Sequence, residues 1–217
     1  MISLEDLGFV KGVIFETIVS TYTKQGSPNI APMGVIKVDP KKIMIKIYKS
    51  SNTYKNIKSK KCAVINLSSD PVLFYKTAIK ESDIGVKIVD DLFEKGDLVN
   101  APRLKKAEAN IEVSVLNIND LDLEIAEVIF EVKKIKTAVC LPKVYCRAFS
   151  ATIESIILAT RIKPYLVGDQ LQQKQAEKMI EKVKCFEEII KRTAPKSEFT
   201  DIMSDLIRRI EIWKTNK

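Results

Sequence analysis

The sequence predicts a mainly β protein with helices, of the α+β class, in which six antiparallel strands precede three helices. From Val13 to Ile135, runs rich in β-branched and aromatic residues alternate with short polar loops, a pattern typical of strands. After Thr137, apolar residues recur every three or four positions, as they do on one face of a helix. We therefore expect a β domain at residues 1–136 and a helical C-terminal domain at 137–217.

Short runs separated by turn residues predict the first four strands. Gly26 lies in the first connection and Asp39-Pro40 in the second, and both suit tight turns. Pro32 lies inside the second run, so that strand must have an open edge, a bulge or a missing ladder bond there. A short helix is expected between the third and fourth strands. In chain order, these segments are Val13–Tyr22, Asn29–Val38, Ile43–Tyr48, the helical Ser50–Ser59 and Cys62–Leu67.

The remainder of the chain predicts one helix, further extended segments and three C-terminal helices. Asp70 and Pro71 are typical of a helix start. Three amphipathic stripes near the C-terminus predict helices that are separated at Pro164 and Pro195. Extended segments are expected, in chain order, at Val86–Val89, Leu98–Asn100, Ala109–Ile118 and Leu123–Ile135.

The chain contains no histidine, which excludes several classes of catalytic site. It can form neither a Ser-His-Asp nor a Cys-His nucleophile system, and it lacks the commonest zinc ligand. The cysteines form no C-x-x-C pair, so we expect no metal site and interpret them as reduced packing residues. They are Cys62, Cys140, Cys146 and Cys185.

Composition indicates a globular protein that does not cross a membrane. Of the 217 residues, 46% are hydrophobic and 29% are charged, as in ordinary soluble domains. The longest apolar runs are only a few residues, too short to cross a bilayer. The first residues, Met1 to Asp6, lack the basic start and apolar core of a secretion signal. We therefore expect a cytoplasmic protein.

The net charge of +8 is concentrated in one part of the sequence. Between Lys24 and Lys61 there are ten lysines and a single acid, Asp39, so the rest of the chain is close to neutral. Such a region would attract a phosphorylated small molecule or a polynucleotide. A solvated, lysine-rich face is the simpler alternative.

Four polar residues around the expected start of the Ser50–Ser59 helix form a candidate phosphate site. Lys49, Ser50, Ser51 and Thr53 offer ammonium and hydroxyl donors where helix amides also point outward. Ordinary capping is the alternative, since serine and threonine favour helix starts without a ligand. Lys49 favours the ligand, because a cation beside the positive end of a helix is unfavourable unless an anion binds.

The Asn29–Gly34 segment is unusual for the interior of a strand. Its small residues and its proline leave the backbone approachable from one side, so a flat heterocycle with its own donors and acceptors would fit there. A β-bulge beside a proline is the alternative. The chain contains neither G-x-G-x-x-G nor G-x-x-x-x-G-K-[ST], so a bound nucleotide would have to lie on a β scaffold.

Arg147, Glu154 and Arg161 are spaced by seven residues and share one stripe of the first C-terminal helix. Successive members are about 10 Å apart along the helix axis, too far for a ladder of direct ion pairs. A structural charge stripe is one interpretation. The other is that Arg147, at the helix start, reaches an anion bound on the β domain.

Short runs along most of the chain carry a family resemblance by their order and spacing. These runs are Glu16–Thr21, Gly26, Pro28-Asn29, Ala31–Val35, Ser51, Thr53-Tyr54, Asn56, Asn66, Arg147-Ala148, Ile153-Glu154 and Thr160-Arg161. Together they resemble the FMN-binding split-barrel superfamily, which includes flavin reductases and pyridoxamine-phosphate oxidases. Within it, the chain is similar to a group of small uncharacterised flavoproteins.

The resemblance implies a six-stranded antiparallel split β-barrel that forms a homodimer with FMN near the dimer interface. It implies a phosphate site at Ser50, Ser51 and Thr53 together with Lys49. The segment along the isoalloxazine ring would comprise Asn29, Ala31, Pro32, Met33 and Gly34. One position departs from the pattern, since Cys146 stands before Arg147 where asparagine is expected.

The leading functional hypothesis is an FMN-binding flavoprotein and oxidoreductase with an unknown small-molecule redox partner. Flavin carries out hydride and single-electron transfer itself, which suits a chain without histidine. Two alternatives stay open: a nucleic-acid- or protein-interaction module that uses the basic 24–61 region, and a flavin carrier without turnover. The sequence assigns no catalytic residue.

Overall fold

The computed structural model describes residues 2–79, 90–138 and 146–215. Its helices and strands follow the expected order, with two additional short strands. The strands are β1 (Ile14–Tyr22), β2 (Pro28–Asp39), β3 (Lys42–Tyr48), β4 (Cys62–Leu67), β5 (Phe93–Lys95), β6 (Pro102–Leu104), β7 (Ala109–Asp120) and β8 (Ile125–Thr137). The helices are α1 (Asn52–Lys60), α2 (Pro71–Ala78), α3 (Arg147–Leu166), α4 (Gln170–Thr193) and α5 (Glu198–Thr215).

Six strands close into an antiparallel barrel in the order β1-β2-β3-β8-β7-β4, and β4 pairs back onto β1. The predicted six-stranded antiparallel barrel is therefore confirmed. Alternate residues of each strand fill the interior, where each buried aliphatic or aromatic side chain contributes about 1.5–3 kcal/mol. This core includes Val19, Val35, Ile45, Ile65, Phe130 and, from α1, Tyr54 and Ile57.

The barrel opens between β2 and β3. β2 pairs with β1 from Pro28 to Ile36, but with β3 only from Val35 to Asp39. Within the described strands, residues 29–34 of β2 therefore have β1 as their one strand neighbour. Pro32 lies in this open stretch, which explains how the sheet accepts a residue without an N–H. β3 pairs with β8 along its whole length, but its pairing with β2 ends at Ile45, so β2 and β3 separate beyond that residue.

The chain divides into two compact units. One comprises residues 1–69 and 88–141 and contains the barrel, while the other comprises 70–87 and 142–217 and contains the helices α2 to α5. The chain thus enters the helical unit at α2, before the barrel is complete. The expected division at residue 136 remains a prediction about domain organisation.

The sequence predicts two short extended segments between residues 80 and 105. The extended piece expected at Val86–Val89 lies outside the described residues. The one expected at Leu98–Asn100 is wrong, because those residues form a bend between β5 and β6. The carboxylate of buried Glu112 accepts hydrogen bonds from the amides of residues 97–99, which holds that bend in place.

The C-terminal helices agree with the amphipathic pattern. α3 continues two residues past Pro164, because a proline in the last turn removes only one backbone hydrogen bond of a helix that is about to end. Pro195 lies in the connection between α4 and α5, as expected. Among the described helices, none combines the length and the apolarity that crossing a membrane requires.

Candidate functional site

Helix α1 begins directly after β3, at the end of the barrel where β2 and β3 separate. Ser51 is its N-cap, and its Oγ accepts a hydrogen bond from the Tyr54 amide at 3.1 Å. The Ser51 amide in turn donates to the Tyr48 carbonyl at 3.1 Å, which fixes the turn out of β3. Ordinary capping therefore operates here, and the positive end of the helix dipole lies at this turn.

A buried polar cluster joins the α1 start to β1 and β2. The Asn29 side-chain amide donates to Thr53 Oγ1 at 3.1 Å, which brings together two predicted site residues 24 positions apart. Thr21 Oγ1 accepts from the side-chain amides of Asn56 at 3.1 Å and Asn29 at 3.4 Å. The sequence prediction did not assign Thr21 and Asn56 to the site. Two features connect these residues with the site. Thr21 pairs with Asn29 across the strands, and Asn56 lies one helical turn after Thr53.

Lys49 binds the turn between β7 and β8. Its ammonium forms an ion pair with Asp120 at 2.8 Å and donates to the Asp122 carbonyl at 2.7 Å. The Asp122 carboxyl has a pKa below its usual value, because the amides of Ile125 and Glu124 donate to it and Lys49 lies nearby. Asp120 thus compensates the lysine charge, and Lys49 by itself no longer requires an external anion. Ser50, the next residue, is exposed.

The open edge of β2 supplies the other predicted residues. Ala31, Pro32, Met33 and Gly34 are all half-buried, and the Thr17 hydroxyl donates to the Met33 carbonyl at 2.9 Å. At Gly34 the backbone is closely covered, since an added Cβ would lie 2.7 Å from Cγ2 of Ile14. This edge therefore offers backbone groups with little side-chain bulk.

Arg147 lies in the other unit, where it is the exposed first residue of α3. The preceding residue, Cys146, is the N-cap and makes no side-chain capping bond. Asparagine, which the family pattern favours at that position, is a good N-cap. The role of Arg147 toward a bound anion stays a prediction.

The arrangement suits an anionic group attached to a planar heterocycle. Hydroxyl and amide donors meet a helix start, and the adjacent strand edge leaves backbone donors and acceptors accessible. Among the described residues, no group of three His, Cys, Asp or Glu side chains is placed to hold a metal ion. A separate open cleft of about 550 Å³ lies beside Lys42 and Leu116, at the opposite end of β3 from α1.

Comparison with known families assigns this architecture. Residues 15–152 match the N-terminal domain of a family described as a protein of unknown function, DUF447, and residues 146–209 match its second domain. The chain belongs to the DUF447 family. No protein of curated function matches the sequence.

Two solved structures show the same fold as this DUF447 chain. An FMN-bound DUF447 protein from Methanosarcina mazei is 24% identical, with a TM-score of 0.75 over 95% of this chain and 99% of its own. A putative flavin reductase with a split barrel domain from Shewanella frigidimarina is 18% identical, with a TM-score of 0.51 over 59% of this chain and 69% of its own. The predicted split-barrel fold is therefore confirmed.

Proposed function

We propose that this chain binds FMN and acts as an oxidoreductase on an unknown small-molecule redox partner. One observation carries the proposal. The contact between Asn29 and Thr53 joins the open β2 edge to the start of α1, so a strand edge and an anion-binding helix end form one continuous site. The Methanosarcina mazei relative, which is described as FMN-bound, shares this fold over 95% of the chain.

The phosphate is proposed to lie at the α1 start. Ser50 is exposed, and Ser51 uses a lone pair for capping, so its hydroxyl proton can still be donated. The Thr53 hydroxyl accepts from Asn29 and can likewise donate its proton. Lys49 lies beside this turn and adds positive potential although Asp120 partly compensates it.

The isoalloxazine ring is proposed to lie along the open edge of β2. Backbone N–H and C=O groups there can pair with the ring's own donors and acceptors. From Asn29 to Gly34 the strand spans roughly 16 Å, enough to contact an extended planar group along its length. The small side chain of Ala31 and the absence of a side chain at Gly34 leave little bulk along this edge.

Bound flavin supplies hydride and single-electron transfer, and the protein binds, orients and shields it. The chain's own contribution is then the donor set at α1 and the fixed strand edge of β2. Met33, whose side chain packs against the barrel core, anchors that edge. We propose a cytoplasmic homodimer, and the exposed apolar side chains of Tyr48 and Leu123 beside the site support a covered surface there.

The first experiment is purification of the protein with added FMN, followed by native mass spectrometry and a visible spectrum. The proposal expects one FMN per subunit, a mass of two subunits, and bleaching of the flavin absorbance when NADH or NADPH is added. Colourless protein that does not take up FMN would refute flavin binding. Bound flavin that no nicotinamide or chemical reductant reduces would favour a carrier without turnover.

The nucleic-acid alternative receives no support from the lysine positions. Lys37 is buried and paired with Glu5, while Lys42 and Lys49 pair with Asp39 and Asp120. Several charges of the 24–61 region are therefore compensated within the barrel unit. Of the other lysines of this region, Lys55, Lys58, Lys60 and Lys61 lie on α1 or at its C-cap.

A further inference from the structure

The outer face of α1 is a compact positive surface. Thr53, Tyr54, Asn56 and Ile57 form the buried side of this helix, and Lys55, Lys58 and Lys61 are exposed. We call these three lysines the α1 lysine face. From residue 40 to residue 69 the sequence contains no acid, so no carboxylate close in the chain offsets them.

Lys37, Lys42 and Lys49 of the basic region form ion pairs, whereas the α1 lysine face forms none within the described residues. Across residues 2–79, 90–138 and 146–215, no carboxylate lies within ion-pair distance of Lys55, Lys58 or Lys61. Lys58 Nζ lies 5.9 Å from the centre of the Tyr54 ring, which holds that side chain against the helix. All three residues of the face are exposed to solvent.

Lys61 has a backbone conformation that is unfavourable for residues with a side chain. It is the C-cap of α1 in the left-handed conformation, with φ 59° and ψ 20°, where glycine or asparagine is usual. Its amide donates to Ile57 and its carbonyl accepts from Val115, and a glycine would make both bonds equally well. The cap therefore does not require a lysine, so Lys61→Gly removes the charge and keeps both backbone bonds.

We propose that the α1 lysine face docks an acidic redox protein that exchanges electrons with the flavin. This inference rests on the proposed function, because α1 is the helix whose start is assigned to the FMN phosphate. The face lies on the same short helix, so a protein docked there sits close to the flavin site. Small, charge-steered contacts are typical of transient electron-transfer complexes.

Two other ligands fit the face less well. The lysines are spread over about 9 Å along the helix and are exposed, so they do not converge on one small anion. Bases of a single strand commonly stack on exposed rings, and the one aromatic residue of α1, Tyr54, is buried. An extended acidic protein surface matches both the spacing and the exposure.

The electron balance defines the partner's chemistry. A one-electron carrier, such as an iron–sulfur protein with an acidic surface, is oxidised by one electron at each encounter. Two such encounters and two protons from water convert one oxidised flavin to its fully reduced form. No group of the protein other than the flavin changes its oxidation state.

The test uses FMN-loaded protein and a reduced plant-type [2Fe–2S] ferredoxin as the acidic probe. Stopped-flow absorbance gives the second-order rate constant for flavin reduction at several salt concentrations. We expect a rate constant that falls steeply as salt rises, because screening weakens charge steering. At low salt, Lys61→Gly should lower this rate constant several-fold. The triple change Lys55→Gln, Lys58→Gln, Lys61→Gly should lower it roughly tenfold.

Lys196→Gly is the matched control. Lys196 is also exposed and left-handed, with φ 56°, but belongs to the connection between α4 and α5. Both glycine variants should unfold at the same or higher urea concentration than the parent, and only Lys61→Gly should slow the reaction. Equal rate constants for all proteins, a rate constant independent of salt, or no reduction by the ferredoxin would overturn the proposal.

Two further readouts separate this inference from the proposed function. Failure to load FMN would refute the proposed function itself, before any kinetic measurement. Normal FMN loading and reduction by dithionite, with no effect of the lysine changes, would refute only the docking surface. Binding of a duplex DNA probe that weakens in the triple variant, without ferredoxin reactivity, would assign the face to nucleic acid instead.

Discussion

At the scale of single residues, Asp205 should make the stability of the helical unit depend on pH. The Tyr75 hydroxyl donates to its carboxylate at 2.6 Å, and Arg209 donates at 2.8 Å. Burial acts to raise the pKa of Asp205, but the hydrogen bonds from Tyr75, Arg209 and Arg208 outweigh it and lower the pKa to about 2. The ionised carboxylate therefore links α2 to α5.

Asp205→Asn should destabilise the protein by about 2 kcal/mol at pH 7, the free energy that corresponds to its lowered pKa. Because the folded pKa lies below the ordinary value of 3.8, this stabilisation is complete above about pH 5 and is lost as pH falls toward 2. Urea unfolding of both proteins at pH 7, 5 and 3 measures the difference. A difference that is the same at all three pH values would contradict the assignment.

Gly34 is a second position where a single atom matters. Gly34→Ala should destabilise the barrel by about 1 kcal/mol, because the new Cβ would lie 2.7 Å from Cγ2 of Ile14. Ile14 is 61% exposed, so its truncation alone should cost little. The double change Gly34→Ala, Ile14→Ala should recover most of the loss in urea unfolding. A double variant that is no more stable than Gly34→Ala would show that the clash with Ile14 is not the cause of the destabilisation.

At the scale of elements, a buried carboxylate fixes the bend of the β5–β6 hairpin, while Asn66 and Asn110 of the barrel bind Leu104 of β6. Glu112 on β7 accepts from three consecutive amides, at 2.8, 2.6 and 3.1 Å, and lies 3.5 Å from the Arg103 guanidinium. Arg103 also pairs with Glu94 and Asp97, both at 2.8 Å. This network fixes the bend that the sequence pattern alone assigned to an extended segment.

Glu112→Gln should lower the free energy of unfolding by about 2–3 kcal/mol, since neutral glutamine cannot pair with Arg103 or accept equally from three amides. Hydrogen exchange at residues 97–99 should become faster. Glu131→Gln is the control, because that acid is partly exposed and its ion pair with Lys133 contributes little. Equal stability losses in the two variants would argue against the network.

Local pattern predicted the barrel strands well, for a physical reason. Turn residues and alternating apolar positions are local signals, so β1, β3 and β4 differ from their expected bounds by at most one residue. The hairpin β5–β6 was missed because its three-residue strands depend on Glu112, which is 8 residues beyond β6. Contacts of that kind leave no periodic trace in the sequence.

At the scale of the whole molecule, the candidate site results from how the strands pair. The sequence marked Pro32 and the α1 start separately, as an unusual strand and a helix cap. Only the barrel shows that β2 leaves β3 at this point and that Asn29 reaches Thr53. The compensation of Lys49 by Asp120 also required the structure, since these residues are 71 positions apart.

The measurement that tests the account most directly is FMN affinity of the double variant Ser51→Ala, Thr53→Ala. Loss of the cap and of the Asn29 contact should each cost only about 1 kcal/mol of stability, while loss of two phosphate donors should weaken FMN binding at least tenfold. Ser59→Ala, an exposed change near the other end of α1, is the control. In a fluorescence titration with FMN, Ser59→Ala should have the same Kd as the parent protein. The double variant should have a Kd at least tenfold higher. A double variant that stays folded and binds FMN as tightly as the parent would show that the phosphate does not lie at the start of α1.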